Sequence, residues 1–148
     1  MFRDSLDAIC AIINTHFPGI DAIHINKAPE EFTRPCFFVM LATGTEADLN
    51  RAMYQSRATW QVVYFAPLEP GQNPDAFDQY AAADILVNAL MEAMTLTGPN
   101  GTVYHILDVD GGPRDNEVYI TVRLETEKTR PEPTYDLMQE ILHETKEV

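Results

Sequence analysis

The chain is poor in the residues from which reactive sites are built. It has only two cysteines, Cys10 and Cys36. Cys10 falls on an apolar helical stripe and Cys36 opens an apolar run, so both read as buried thiols, not as a disulfide or a metal pair. The four histidines, His16, His24, His105 and His143, stand in separate segments, and none has a partner at ligand spacing. Asp108-Val109-Asp110-Gly111 begins like a calcium loop, but the glycine comes too early and the closing glutamate is missing. There is no phosphate-cradling glycine loop, no Gly-x-Ser-x-Gly elbow and no zinc-protease signature. No metal, cofactor or catalytic residue is therefore expected. No apolar run reaches the roughly 20 residues of a membrane span, and the N-terminus lacks the basic-then-apolar pattern of a secretory signal. The expectation is a protein of the cytoplasm with no membrane contact.

Positive charge is equally scarce. Ten Lys and Arg stand against 23 Asp and Glu, for a net charge of −13, and residues 67–100 hold five acids and no base. Such a chain lacks the basic footprint that phosphate binding needs, and it repels nucleic-acid backbones and anionic membranes. The apolar share of 45% and the charged share of 22% are those of a folded globular chain. At 148 residues one domain is expected, with residues 1–126 as core and 127–148 as a C-terminal extension.

The segments follow from periodicity and punctuation. Leu6, Ile9, Cys10, Ile13 and Phe17 recur at helical spacing, and Pro18-Gly19 stops that helix. Residues 20–26 read as a short strand. The centre of the chain is a hairpin, residues 35–42 answering 59–65, both arms dense in β-branched and aromatic residues. The polar connector 43–58 holds Leu49, Arg51, Met53, Tyr54 and Arg57; it is either an arm that meets a partner or a solvated tip. After a proline-rich turn, Asn73 as cap and Pro74 as first helical residue begin a second helix. Its predicted buried face is Phe77, Tyr80, Ala83, Val87, Leu90, Met91 and Met94, and Gly98-Pro99 ends it. Residues 102–107 and 117–125 form the last hairpin, joined across residues 110–113. In its second strand Val118, Ile120, Val122 and Leu124 alternate with Tyr119, Thr121, Arg123 and Glu125, which gives one dry and one wet face. Residues 134–147 form a short amphipathic helix with Tyr135, Met138, Ile141 and Leu142 on one side, too short to stand alone.

The fold class expected is α+β: a mainly antiparallel sheet of about five strands with two helices on one face, plus the short C-terminal helix.

This order, with Arg34-Pro35-Cys36-Phe37-Phe38-Val39, a loop bearing Arg51, Tyr54 and Arg57, and Gln61-Val62-Val63-Tyr64-Phe65, resembles the tail terminator (tail completion) proteins of tailed bacteriophages and prophage-derived particles. The resemblance covers residues 1–126. It implies a structural protein of the virion, assembled in the host cytoplasm as a six-fold ring at the head-proximal end of the tail. The implied partners are copies of itself, the tail tube protein and head-tail connector proteins, with DNA passing through the lumen without specific binding. A ring joins two different surfaces of each subunit. The candidates are the arm (Leu49, Arg51, Met53, Tyr54, Arg57) and the C-terminal helix (Tyr135, Met138, Ile141, Leu142). The alternatives are another neck or head-completion protein, or a small-molecule module with its pocket near Tyr104, His105 and Tyr119.

Overall fold

A computed structural model describes residues 1–27 and 29–131. The elements run α1 (Phe2–His16), β1 (Ile23–Ile25), β2 (Cys36–Asp48), β3 (Met53–Phe65), α2 (Ala76–Ala93), β4 (Thr95–Thr97), β5 (Val103–Arg114) and β6 (Glu117–Thr129). The six strands make one sheet in the order β1-β2-β3-β6-β5-β4, antiparallel except for the β1–β2 pair. The fold is mixed α+β, with one strand more than expected. The addition is β4, three residues between the end of α2 and Gly98 that pair with Val103–His105. The C-terminal helix expected over residues 134–147 lies outside the described residues.

Period-two patterning builds the middle of the sheet. Ala58, Trp60, Val62 and Tyr64 of β3 and Val118, Ile120, Val122 and Leu124 of β6 are all buried and face the helices. Ala8, Ile9 and Ile13 of α1, followed by Phe17, meet them, as do Ala82, Ala83, Leu86 and Leu90 of α2. Residues 36–39 are buried on both faces. Phe37 and Val39 join this core, while Phe38 packs with Phe65, Phe32 and His24 on the other side, ring centroids 4.7 to 6.4 Å apart. The Arg34 guanidinium lies 5.5 and 5.3 Å from the Phe32 and Phe65 rings.

Three expectations need correction. The connector 43–58 is not a loop: β2 runs on to Asp48 and β3 begins at Met53, after one bulge between Leu41 and Thr43. These residues are strand because β6 pairs with β3 along its whole length, from Tyr64↔Val118 to Met53↔Thr129. Likewise the final hairpin does not turn at residues 110–113. β5 continues to Arg114, and Asp115, which tolerates a positive φ of 53°, makes the turn. Gly111 inside β5 could be no other residue, since its φ is +125° and a Cβ there would stand 2.0 Å from the Tyr119 carbonyl oxygen.

The third correction concerns α2. Its cap is Asp75, whose carboxylate accepts from the Phe77 and Asp78 amides, and not Asn73. Of its predicted buried face only Ala83 and Leu90 are fully buried and Val87 partly so, whereas Phe77, Tyr80, Met91 and Met94 are 87, 62, 54 and 72% exposed. The helix instead buries Gln79, Ala82, Ala83, Leu86, Ala89 and Leu90, because alanines let its backbone approach the sheet closely. Leu124→Ala should therefore lower the unfolding free energy by about 2–5 kcal/mol through the cavity it leaves, whereas Phe77→Ala should change it by no more than about 0.5 kcal/mol. Urea unfolding followed by tryptophan fluorescence checks both, and a large loss in Phe77→Ala would contradict the observed face.

Candidate assembly surfaces

A buried polar latch holds α1 in place. Asp4, 6% exposed, sits in the first turn of α1, where the helix dipole favours a carboxylate. Its Oδ2 accepts from the Tyr104 hydroxyl at 2.7 Å and its Oδ1 from the Asn100 amide at 2.8 Å. Next to it the Trp60 indole N–H donates to the buried Ser5 hydroxyl at 3.1 Å. Gly98 makes room, since a Cβ there would stand 1.8 Å from Asp4 Oδ2. The hydrogen bonds to Tyr104 and Asn100 hold the Asp4 carboxyl below the usual carboxylate range. Burial, with the Asp4 carboxylate as partner, pushes the Tyr104 phenol well up, and burial with Asp78, 2.6 Å from the hydroxyl, does the same to Tyr64. The two thiols are free, Cys36 buried and Cys10 half-buried, and burial raises both.

At the start of α1, Phe2 lies over Gly44 of β2, four residues short of the strand's end at Asp48 and of the β2–β3 hairpin tip. The tip is a built turn. Asn50 Oδ1 accepts from the Ala52 and Met53 amides at 2.8 and 2.9 Å. Arg130 then clamps it from beyond β6: its guanidinium donates to the Asn50 carbonyl at 2.7 Å, pairs with Asp48 and lies 5.4 Å from the Tyr54 ring centre.

The five arm residues predicted from sequence therefore share one hairpin end but not one patch. Leu49 and Arg51 stand exposed in the turn, Met53 is half-buried, and Tyr54 is half-buried against Arg130. Arg57 points to the opposite face from Tyr54 and pairs with its cross-strand neighbour Glu125 at 3.2 Å. Arg130 was missed by sequence reasoning; only the three-strand register brings it to a turn some eighty residues earlier in the chain. Tyr135, Met138, Ile141 and Leu142 lie outside the described residues.

The sheet face away from the helices does not gather Tyr104, His105 and Tyr119 into a pocket. Tyr104 is buried in the core. His105 pairs in register with Glu125 and Gly112 with Tyr119, six β6 residues or roughly 20 Å apart. His105 and Tyr119 line two separate, open concavities, the first with Tyr54, Glu125 and Lys128 and the second with Gln61, Asp110 and Glu117. Among the described residues no group of three or more His, Cys, Asp or Glu could hold a metal ion, and no helix is long and apolar enough to cross a membrane.

Fold and surface together define a mixed α+β fold whose exposed features are apolar side chains and ion pairs around open concavities. By sequence it belongs to the phage tail terminator protein family, whose model matches residues 4–136. No curated protein matches the chain. One solved structure, 18% identical, covers 87% of this chain and 98% of its own at a TM-score of 0.32, too low to carry an argument.

The perturbed groups fix the pH dependence of folding. The depressed Asp4 pKa adds stability above the ordinary carboxylate range, and that stability is lost as pH falls below about 4 through the folded value. The raised Tyr64 and Tyr104 values add stability that is complete below about pH 10 and lost as pH rises beyond it. Tyr64→Phe should thus flatten the fall of Tm between about pH 10 and 11.5 without altering the acid limb; an unchanged alkaline limb in thermal melts would refute the assignment.

Proposed function

We propose that the chain is the capping subunit of a phage tail. Copies of it, six in number by the family resemblance, form a ring at the head-proximal end of the tail tube. The ring stops tube polymerisation and presents the surface to which head-tail connector proteins dock. The observation that carries this reading is the family match over residues 4–136. The chain folds as one domain in this reading, and its work is structural, without catalysis or cofactor.

Two physical properties support it. Open concavities lined largely by polar and charged side chains suit contact with other proteins better than enclosure of an apolar small molecule. The net charge of −13 per chain means that six copies would carry six times that value around a channel through which DNA must slide. A lining of that sign binds no phosphates by counterion release, so the DNA passes without being held. Assembly would take place in the host cytoplasm, before the tail joins the head. Leu49 and Arg51 provide the arm's contact in this reading, and Met53, Tyr54 and Arg57 hold the arm's shape.

The test is direct. Added to polymerising tail tube protein, the purified chain should shorten the length distribution of tubes seen by electron microscopy and leave a ring at one end of each. Tubes of unchanged length with bare ends would overturn the proposal.

A further inference from the structure

The outer face of α2 carries more exposed apolar surface than a solvated helix has reason to. Phe77, Tyr80, Asp84, Val87 and Met91 follow one another at intervals of three, four, three and four, the spacing that keeps a row on one side of a helix, and Met94 stands just past the helix end. Four of the six are large apolar residues more than half exposed, and Val87 is half-buried. The opposite side of the same helix is already spent on the core. A helix that is apolar on both sides belongs between two packed surfaces, and a row of this size marks a contact with another protein.

Charge identifies the occupant. Asp84 lies in the middle of the row, exposed and without an ion pair among the described residues, Glu92 stands exposed nearby, and no base occurs in residues 67–100. The partner must therefore offer an apolar residue beside a free cation. Most arginines of the chain are occupied within the subunit: Arg3 by Asp7, Arg57 by Glu125, Arg123 by Asp108, Arg130 by Asp48, and Arg34 by the Ala66 carbonyl and two aromatic rings. Arg51 has no carboxylate partner among the described residues, and it projects from the hairpin tip two residues from the 45%-exposed Leu49. Arg114, Lys27 and Lys128 also lack an ion pair among the described residues, but each lines a concavity with an acid, Asp115, Glu30 and Glu127 respectively.

We infer that the outer face of α2 receives the β2–β3 tip of a neighbouring copy, with Leu49 set among Tyr80, Val87 and Met91 and Arg51 paired to Asp84. The contact joins two different surfaces, the kind of joint that, repeated head to tail with a closing rotation, forms a ring. It rests on the ring reading above and adds the second half of the joint, a face that the sequence reading had assigned to the core.

Sedimentation of the full chain across a concentration series, alone and on tail tubes, tests the contact. Asp84→Arg and Arg51→Glu each place like charges together and should weaken subunit association by about 10–100-fold, while the double variant should return it to within a few-fold of wild type. Both positions are exposed, so thermal melts should match wild type and exclude misfolding. Single variants that associate normally, or a double variant that stays dissociated, overturn this joint and leave the ring reading standing. So does a chain ended after Pro131 that fails to associate while the charge reversals do not matter, because residues 132–148 would then be the occupant. A wild-type chain that neither associates nor binds tubes overturns the ring reading itself.

Discussion

The bond between Asp4 and Tyr104 sets the layout of the subunit. A carboxylate with 6% of its surface exposed is tolerable only where its charge is met, and here the first turn of α1, the Tyr104 hydroxyl and the Asn100 amide meet it together. These partners come from opposite ends of the chain, so satisfying one ion fixes α1 against the β4–β5 turn. The Ser5–Trp60 bond ties the next residue of the same helical turn to β3. From that anchored turn the segment runs between Phe2, over Gly44, and Phe17, against Phe37. It leaves the β5 side of the sheet to α2.

Much of the fold could be read from the chain because alternation and helical spacing are local. The inward row of β6, the apolar stripe of α1 and the two arms around Phe37 and Val63 each follow from residues a few positions apart. What could not be read depends on pairing at a distance. Residues 43–48 are polar on both sides, as a loop would be, and become strand only through the company of β3 and β6. β4 is too short to show any period. In α2 the apolar residues circle the helix, so periodicity alone cannot choose between its two sides; the alanines that permit close approach settle the choice.

The candidate surface divides in the same way. Leu49 and Arg51 could be picked out as a segment with both apolar and charged character, and both stand exposed in the turn. Arg57 and Tyr54 looked like their companions, yet a separation of three along a strand sends them to opposite faces. Arg130 gave no local signal, because its role comes from the register that carries β6 past the hairpin tip. Arg130 stiffens the turn and neutralises Asp48, so that Arg51 is left as the tip's surplus charge.

This economy of cations bears on how so acidic a chain could assemble at all. Copies that each carry −13 repel one another, but at physiological ionic strength charges beyond about 8 Å are largely screened. What remains is decided at contact range, where an exposed apolar row contributes independently of salt and a single opposite pair sets the register. With five of the seven arginines bound within the chain, the cations left to pair with a second copy's acids are Arg51, Arg114 and the lysines. A small supply of positive charge therefore limits where one copy could meet the next, and it favours the proposed joint at the face of α2 where an apolar row and an unpaired carboxylate coincide.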